Sequence, residues 1–311
     1  MKERIFFSIF LTAALAAAVI ALTAHFEMPI WAVAGIGIVF TAASAFVLAT
    51  VISRKMLAET ENMRKVLTEQ QNELKKEHEA QDKMRREFTA NVSHELKTPL
   101  TSISGFAEII QNGLVKQEDI SRFAGNIYDE TQRLITLVGD IMKLSQLDED
   151  AVPAQKEQID LYESCSAVIS QLKSTADKRG VRFTLEGEHV SIIGVEQIID
   201  EIIYNLCDNA IKYNKENGWI TVRVYSGESG NVLSVSDTGI GIPPEDTEHI
   251  FQRFYRVNKS HSKEIGGTGL GLSIVKHGAA YHNADIKVES TLGVGTRISV
   301  IFPQAQESTG S

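Results

Sequence analysis

Two uncharged runs open the chain: residues 5–24 and 30–52 contain no Asp, Glu, Lys or Arg. At about 1.5 Å per residue each can cross a hydrocarbon core of about 30 Å, so the pattern predicts a two-helix transmembrane hairpin over 1–52. Between the runs lie His25, Phe26, Glu27, Met28 and Pro29. The outer flanks carry Lys2, Arg4, Arg54 and Lys55, whereas the turn holds no Lys or Arg. That asymmetry places both ends on the cytoplasmic side. A cleaved signal peptide would have a shorter apolar run and no second span directly behind it. Ala14, Ala17, Ala18 and Ala21, and again Gly37 and Thr41, give small-residue spacings suited to close helix packing.

Behind the second run the pattern changes from uniformly apolar to periodic. Residues 53–86 are charged, lack Pro and Gly, and fit a heptad frame. Met56, Met63, Gln70, Glu77 and Met84 hold one seam position, and Thr60, Leu67, Leu74, Gln81 and Phe88 hold the other. The polar residues in mid-seam predict a marginal signalling coiled coil. From 87 to 150 the pattern is that of two amphipathic helices joined at Gly113. On the first, Val92, Leu96, Pro99, Leu100, Ile103, Phe106 and Ile110 share one face at about 100° per residue. His94 falls on the opposite side with Lys97, Thr98 and Thr101. On the second, over 118–147, Ile120, Ile127, Leu134 and Ile141 recur every seven residues, with Ala124, Thr131, Val138 and Ser145 behind them. One apolar stripe per helix is too little to bury alone, so two such antiparallel hairpins in a homodimer would form a four-helix bundle.

A linker over 148–158, with Pro153, leads into an α/β unit that spans 155–303. Asp160 and Glu163 form a candidate capping box for a helix to about Lys178. A strand at 181–186 and a helix at 196–213 follow. Strands at 219–225 and 232–236 flank Gly227 and Gly230 as a hairpin. A later helix begins near Gly269, and strands at 285–290 and 296–302 end the unit. Residues 304–311 are expected to be a disordered tail.

Composition narrows the class. The chain has 311 residues and a formal charge of -9, with no extended basic cluster, which argues against nucleic acid as a partner. Cys165 and Cys207 are the only cysteines. They offer neither a disulfide framework nor a zinc site, and are expected to be reduced thiols.

The chemistry lies in ordered motifs. On the helix 196–213, Asn205, Asn209 and Lys212 fall within about 60° of one another, with Glu201 close by, while Ile199, Ile203, Leu206, Cys207 and Ala210 face the other way. Two carboxamide oxygens one turn apart suit a hard cation such as Mg²⁺ that is shared with phosphate oxygens, and Lys212 adds a positive charge. Val235-Ser-Asp237-Thr-Gly239-Ile-Gly241 follows a strand. A carboxylate at a strand end can accept the adenine amino group, and the glycines let the backbone approach the base. Gly266-Gly267-Thr268-Gly269-Leu270-Gly271 then opens a helix, whose free N–H groups favour phosphate. Between these, Phe251-Gln-Arg253-Phe-Tyr-Arg256 and the polar run 257–264 have the character of a mobile lid. Together they predict ATP binding. A P-loop is excluded because G-x-x-x-x-G-K-[ST] is absent, and the Gly266 run lacks the spacing of a dinucleotide fingerprint.

His94-Glu95-x-x-Thr98-Pro99, Asn205-x-x-x-Asn209, Asp237-x-Gly239-x-Gly241, Phe251–Tyr255 and Gly267-x-Gly269-x-Gly271 resemble the H, N, G1, F and G2 boxes of bacterial sensor histidine kinases. The subgroup is the one with a HisKA dimerisation domain and a GHKL (Bergerat-type) ATP domain, and the resemblance covers about 87 to 303. It implies that His94 is the phosphoacceptor, Glu95 a general base, Asn209 with Asn205 the Mg²⁺ ligands, and Asp237 the adenine reader. It also implies ATP contacts from Lys212, Tyr213, Gly239, Gly241, Gly267, Thr268, Gly269, Leu270 and Gly271. Thr98 resembles the position that orients water when such kinases dephosphorylate their partner, a response regulator carrying the receiving aspartate. Two departures stand out. About 35 residues separate the second span from the helix of His94, too few for a HAMP or PAS module. The acidic residue often found ahead of the asparagine helix is replaced by Gly194-Val195-Glu196. A five-residue external turn holds no ligand pocket, which points to sensing within the bilayer of the cytoplasmic membrane, through an accessory membrane protein or transporter, or by membrane state. Whether phosphorylation occurs within one chain or across the dimer stays open.

Overall fold

The computed structural model describes residues 2–25, 29–148, 155–257 and 267–304. Residues 26–28 of the expected turn, 149–154 of the expected linker, 258–266 of the expected lid, and the expected tail beyond Gln304 lie outside the described residues. The chain divides into two units, Met1–Arg85 and Arg86–Ser311.

In the first unit, α1 (Lys2–His25) precedes the start of α2 (Ile30–Gln111). Among the described residues one helical segment, beginning at Trp31, is long and apolar enough to cross a membrane. Its few hydroxyls are satisfied within the helix: Thr41 donates to Gly37 O at 3.1 Å and Ser44 to Thr41 O at 2.9 Å. Several side chains of α1 are outside the described set. Farther along, Met56, Met63, Leu67, Leu74 and Met84 of the heptad seam are all exposed.

The second unit begins with a helical hairpin. The helix α2 ends as Gly113 turns left-handed (φ 66°), Gly113 N–H bonds to Ile110 O at 3.1 Å and Leu114 N–H to Ile109 O at 3.1 Å. These are the two bonds of a glycine-closed helix end. After a 3-10 turn at Gln117–Asp119, α3 (Ile120–Asp148) runs back. Phe106 meets Phe123 edge-on, with ring centroids 5.6 Å apart.

The rest is the α/β unit. Its elements are β1 (Glu157–Asp160), α4 (Leu161–Lys178), β2 (Arg182–Gly187), β3 (Ser191–Gly194), α5 (Glu196–Lys212), β4 (Trp219–Gly227), β5 (Gly230–Asp237), α6 (Gly271–Tyr281), β6 (Asp285–Thr291) and β7 (Gly295–Phe302). A five-stranded sheet has the order β2-β4-β5-β7-β6, parallel only between β2 and β4. Ile220, Val222 and Val224 alternate into the core, where they meet Ile199, Ile203, Leu206 and Cys207 of α5 and Cys165, Val168 and Leu172 of α4. The expected linker to Gln158 is shortened, because Glu157 and Gln158 pair with Gly194 and Ile193 in a separate two-stranded sheet. Gln304, placed in the expected tail, donates to Gly227 O at 3.4 Å.

Asp160 caps α4 as predicted, accepting from Tyr162 N at 2.9 Å and Glu163 N at 3.1 Å. His189 sits against this cap, its Nδ1 2.8 Å from Asp160 Oδ2 and 3.7 Å from Glu163 Oε1. Both thiols are free and buried, and burial pushes Cys165 up to about 12. The departure at Gly194-Val195-Glu196 has a structural explanation. Buried His282 accepts from Val195 N at 3.0 Å through Nε2 and donates from Nδ1 to Gly278 O at 2.8 Å. A neutral imidazole therefore anchors the start of α5 where no side-chain cap exists, and burial holds its pKa below the usual range.

Candidate nucleotide and phosphoacceptor site

Two adjoining cavities lie along α5. The first, about 390 Å³, is lined by Asn209, Tyr213, Asp237, Gly241, Tyr255 and Arg256 with apolar neighbours that include Ile250 and Leu272. Asp237 ends β5. Its Oδ1 accepts from Gly239 N at 2.8 Å and Thr296 N at 3.3 Å, and no described residue donates to Oδ2. Burial raises the pKa of Asp237, and the two backbone donors pull against that. The carboxylate is thus held by one oxygen and offers the other, as a reader of an amino group requires.

Gly241 lines this cavity, and Gly239 packs against the backbone of Tyr213, another lining residue. A Cβ at Gly239 would stand 2.2 Å from Tyr213 O, and at Gly241 (φ +68°) one would stand 2.1 Å from Thr291 O. Neither backbone contact can yield, so any larger residue would push the loop out of place.

The second cavity, about 620 Å³, holds Asn205, Asn209, Lys212, Tyr213, Gly267, Thr268, Gly269 and Gly271 from the ATP domain. Asn205 Nδ2 donates to Glu201 O at 2.8 Å and lies 3.5 Å from Glu201 Oε2, which leaves Oδ1 as a free acceptor. Among the described residues no group of three or more His, Cys, Asp or Glu could hold a metal ion. A cation here would rest on the two carboxamide oxygens and on the phosphates that arrive with it, which suits Mg²⁺.

The structure separates some residues the motifs had grouped. Lys212 lines the second cavity but is paired with Asp208, Nζ to Oδ2 2.6 Å, so its charge is already balanced. Leu270 is fully buried, packing with Ile274 against Leu137 and Leu144 of α3. Its side chain lines neither cavity and joins the ATP domain to the hairpin. Gly239 also lies behind the first cavity. His94 is in neither: its side chain is 80% exposed, with Glu95 Oε1 4.0 Å from Nδ1. The Thr98 hydroxyl donates to His94 O at 3.2 Å. Pro99 has no N–H to give Glu95 O, which leaves that carbonyl without its usual helical donor.

Other residues of the site were given no contact by the motifs. Arg256 lines the first cavity, has only a tenth of its side chain exposed, and places a guanidinium nitrogen 3.9 Å from Glu95 Oε2. Lys143 of α3 meets Glu201 at 2.5 Å. Asp140 of α3 accepts from the Thr268 hydroxyl at 2.7 Å. Phe254, at φ 63°, stacks tilted on Phe88 with centroids 5.9 Å apart, and the Arg253 guanidinium lies 5.1 Å from the Phe88 ring centre. The partners on the hairpin, Phe88, Glu95, Asp140 and Lys143, are far off in sequence, so motif spacing marks one side of each pair at most and not the pairing.

Residues 84–150 match the His Kinase A (phospho-acceptor) domain family, and residues 194–306 match the family of histidine kinase-, DNA gyrase B- and HSP90-like ATPases. The chain is 38% identical over 225 residues to the sensor histidine kinase WalK of Bacillus subtilis (strain 168), covering 71% of this chain and 37% of that protein. It is 34% identical over 224 residues to the phosphate regulon sensor protein PhoR of Pseudomonas aeruginosa, covering 70% of this chain and 50% of that one. The chain therefore spans half or less of either relative. Among solved structures, the Acinetobacter baumannii histidine kinase AdeS shares the fold, with a TM-score of 0.57 at 21% identity over 68% of this chain and 97% of that chain. Histidine kinase ThkA in complex with response regulator protein TrrA matches with a TM-score of 0.55 at 25% identity, over 71% of this chain and 62% of that one.

Proposed function

Because this chain belongs to the sensor histidine kinases of two-component systems, we propose that it transfers the γ-phosphoryl group of ATP to His94 and from there to an aspartate of a response regulator. The observation that carries the reading is Arg256. It lines the cavity closed by Asp237 and lies beside Glu95, so one buried cation links the nucleotide end to the neighbour of the acceptor.

Bound Mg-ATP supplies the phosphoryl group and a metal that spreads its charge. Asp237 selects and orients the adenine, and Asn205 and Asn209 hold the cation side. With Glu95 beside Nδ1 of His94, that carboxylate takes the imidazole proton and leaves Nε2 as the attacking nitrogen. His94 lies outside both cavities, so the ATP domain must shift on the hairpin before the reacting atoms come within the roughly 3–3.5 Å that attack requires. Once the partner is phosphorylated, Thr98, one turn from His94, releases its backbone bond and orients a water that hydrolyses the partner's aspartyl phosphate, giving free aspartate and inorganic phosphate.

The hairpin pairs with a second copy to complete a four-helix bundle. Leu100, Ile135, Val138 and Met142 are exposed apolar side chains in the single chain, and burying them is the driving force. The exposed heptad seam continues that dimer as a coiled coil. The two uncharged runs form a hairpin in the bacterial cytoplasmic membrane with both ends cytoplasmic, where an accessory membrane protein or transporter delivers the signal.

Full-length chain in lipid discs, incubated with Mg²⁺ and γ-labelled ATP, is expected to acquire label that survives base and is lost in acid, as a phosphoramidate is. Nucleotide binding without any such label would overturn the kinase reading.

A further inference from the structure

We propose that Asp140 of α3 is a built-in competitor for the phosphates of the nucleotide, so that the docked hairpin selects against triphosphate while leaving the adenine end open. The inference rests on the ATP reading of the two cavities. Thr268 stands at the turn that opens α6, where its Oγ1 accepts from Leu270 N at 3.3 Å and donates to Asp140 Oδ2 at 2.7 Å. A helix start with a hydroxyl and free N–H groups is a place for a phosphate oxygen. Here a carboxylate oxygen from the hairpin takes the hydroxyl.

Among the described residues the surrounding wall holds more acids than bases. Asp129, Glu130 and Asp140 reach the second cavity from α3 and Asp208 reaches it from α5, against Arg133 and Lys212. Lys212 is already held by Asp208, and Glu130 Oε2 is buried without a hydrogen-bond partner. A polyphosphate would meet a net negative charge from these described side chains. Burial raises the pKa of Asp140, while the Thr268 bond and Lys143 pull against that.

No residue of α3 lines the first cavity, so the competition falls on the phosphate end alone. The docked state is fastened by Lys143 to Glu201 at 2.5 Å and by Leu137 and Leu144 against Leu270 and Ile274. By reciprocity, whatever docking subtracts from phosphate binding, bound phosphates subtract from docking. The pair is therefore a release device: loading with ATP frees the domain that must travel to His94.

The test is calorimetry on full-length chain in lipid discs with adenosine, ADP and ATP at fixed Mg²⁺. Asp140→Asn is expected to tighten ATP on the order of ten-fold, ADP by less, and adenosine not at all. Thr136→Asp, which adds a carboxylate to the same wall, is expected to weaken ATP and spare adenosine. Adenosine affinity also reports that each variant is folded. Equal shifts for adenosine and ATP, or no change in ATP affinity in Asp140→Asn, would overturn the inference alone. Natural chain that binds neither adenosine nor ATP would overturn the ATP reading and the inference with it.

Discussion

A His94→Gln chain is expected to take up no base-stable label from γ-labelled ATP while binding the nucleotide as the natural chain does. The effect on labelling is total, because the bond in question forms on the imidazole and a carboxamide nitrogen is not a nucleophile at neutral pH. The effect on binding is nil for a structural reason: His94 lines neither cavity and is 80% exposed. Stability should change by less than about 0.5 kcal/mol, as is usual for an exposed helix position. Isothermal binding of ADP and label incorporation, measured on the same preparation, separate the two. Residual base-stable label in the variant would place the acceptor elsewhere.

The second large effect concerns Asp237. In Asp237→Asn the atom that accepts from Gly239 and Thr296 can remain an oxygen, so the loop after β5 keeps its shape. The other oxygen becomes an NH₂ group, which would point a donor at the adenine amino donor. Losing a charge-assisted hydrogen bond costs about 1.5–3 kcal/mol, and the donor clash adds to it. ATP affinity is expected to fall by about two orders of magnitude, with labelling of His94 falling in step at limiting ATP. Asp237→Ala should lose binding and also loosen the loop, because its two backbone donors are then left in a largely buried place. Titration of ADP with a thermal-melt control distinguishes the two variants, and unchanged affinity in Asp237→Asn would remove Asp237 from adenine recognition.

The legible parts of this chain are those where chemistry demands a residue type at a fixed spacing. Asn205 and Asn209 one turn apart, and Asp237 followed by Gly239 and Gly241, could be read because metal, base and backbone approach each restrict what fits. The main strands and helices were legible because alternation in β4 and the apolar face of α5 are long enough to show a period. The pair β1 and β3 was not, since four residues each, such as Glu157–Asp160, carry too little pattern to separate a strand from a linker. The anchoring of α5 by His282 was also hidden: a histidine 87 residues from the amide it accepts from leaves no local mark. The same holds for Asp140 and Thr268, 128 residues apart. On the sequence Asp140 is one more polar residue on an amphipathic helix, and only packing shows that it faces the phosphate end.

That packing also changes what the motifs imply. Leu270 and Thr268 belong to a glycine-rich run that resembles a nucleotide contact, yet one is buried against α3 and the other bonds to it. The same segment therefore serves the nucleotide and the hairpin, and occupancy by one bears on the other. Arg256, buried and only 3.9 Å from Glu95, is in a similar double position between cavity and acceptor.

The central claim is that the phosphoryl group of ATP ends on His94. The direct measurement is mass spectrometry under base-stable conditions on full-length natural chain after exposure to Mg-ATP, with fragmentation that localises the adduct. The account predicts one phosphoryl group on the peptide that contains His94, carried on the imidazole at Nε2. An adduct on another residue, or none on a chain shown to bind ATP, would contradict it.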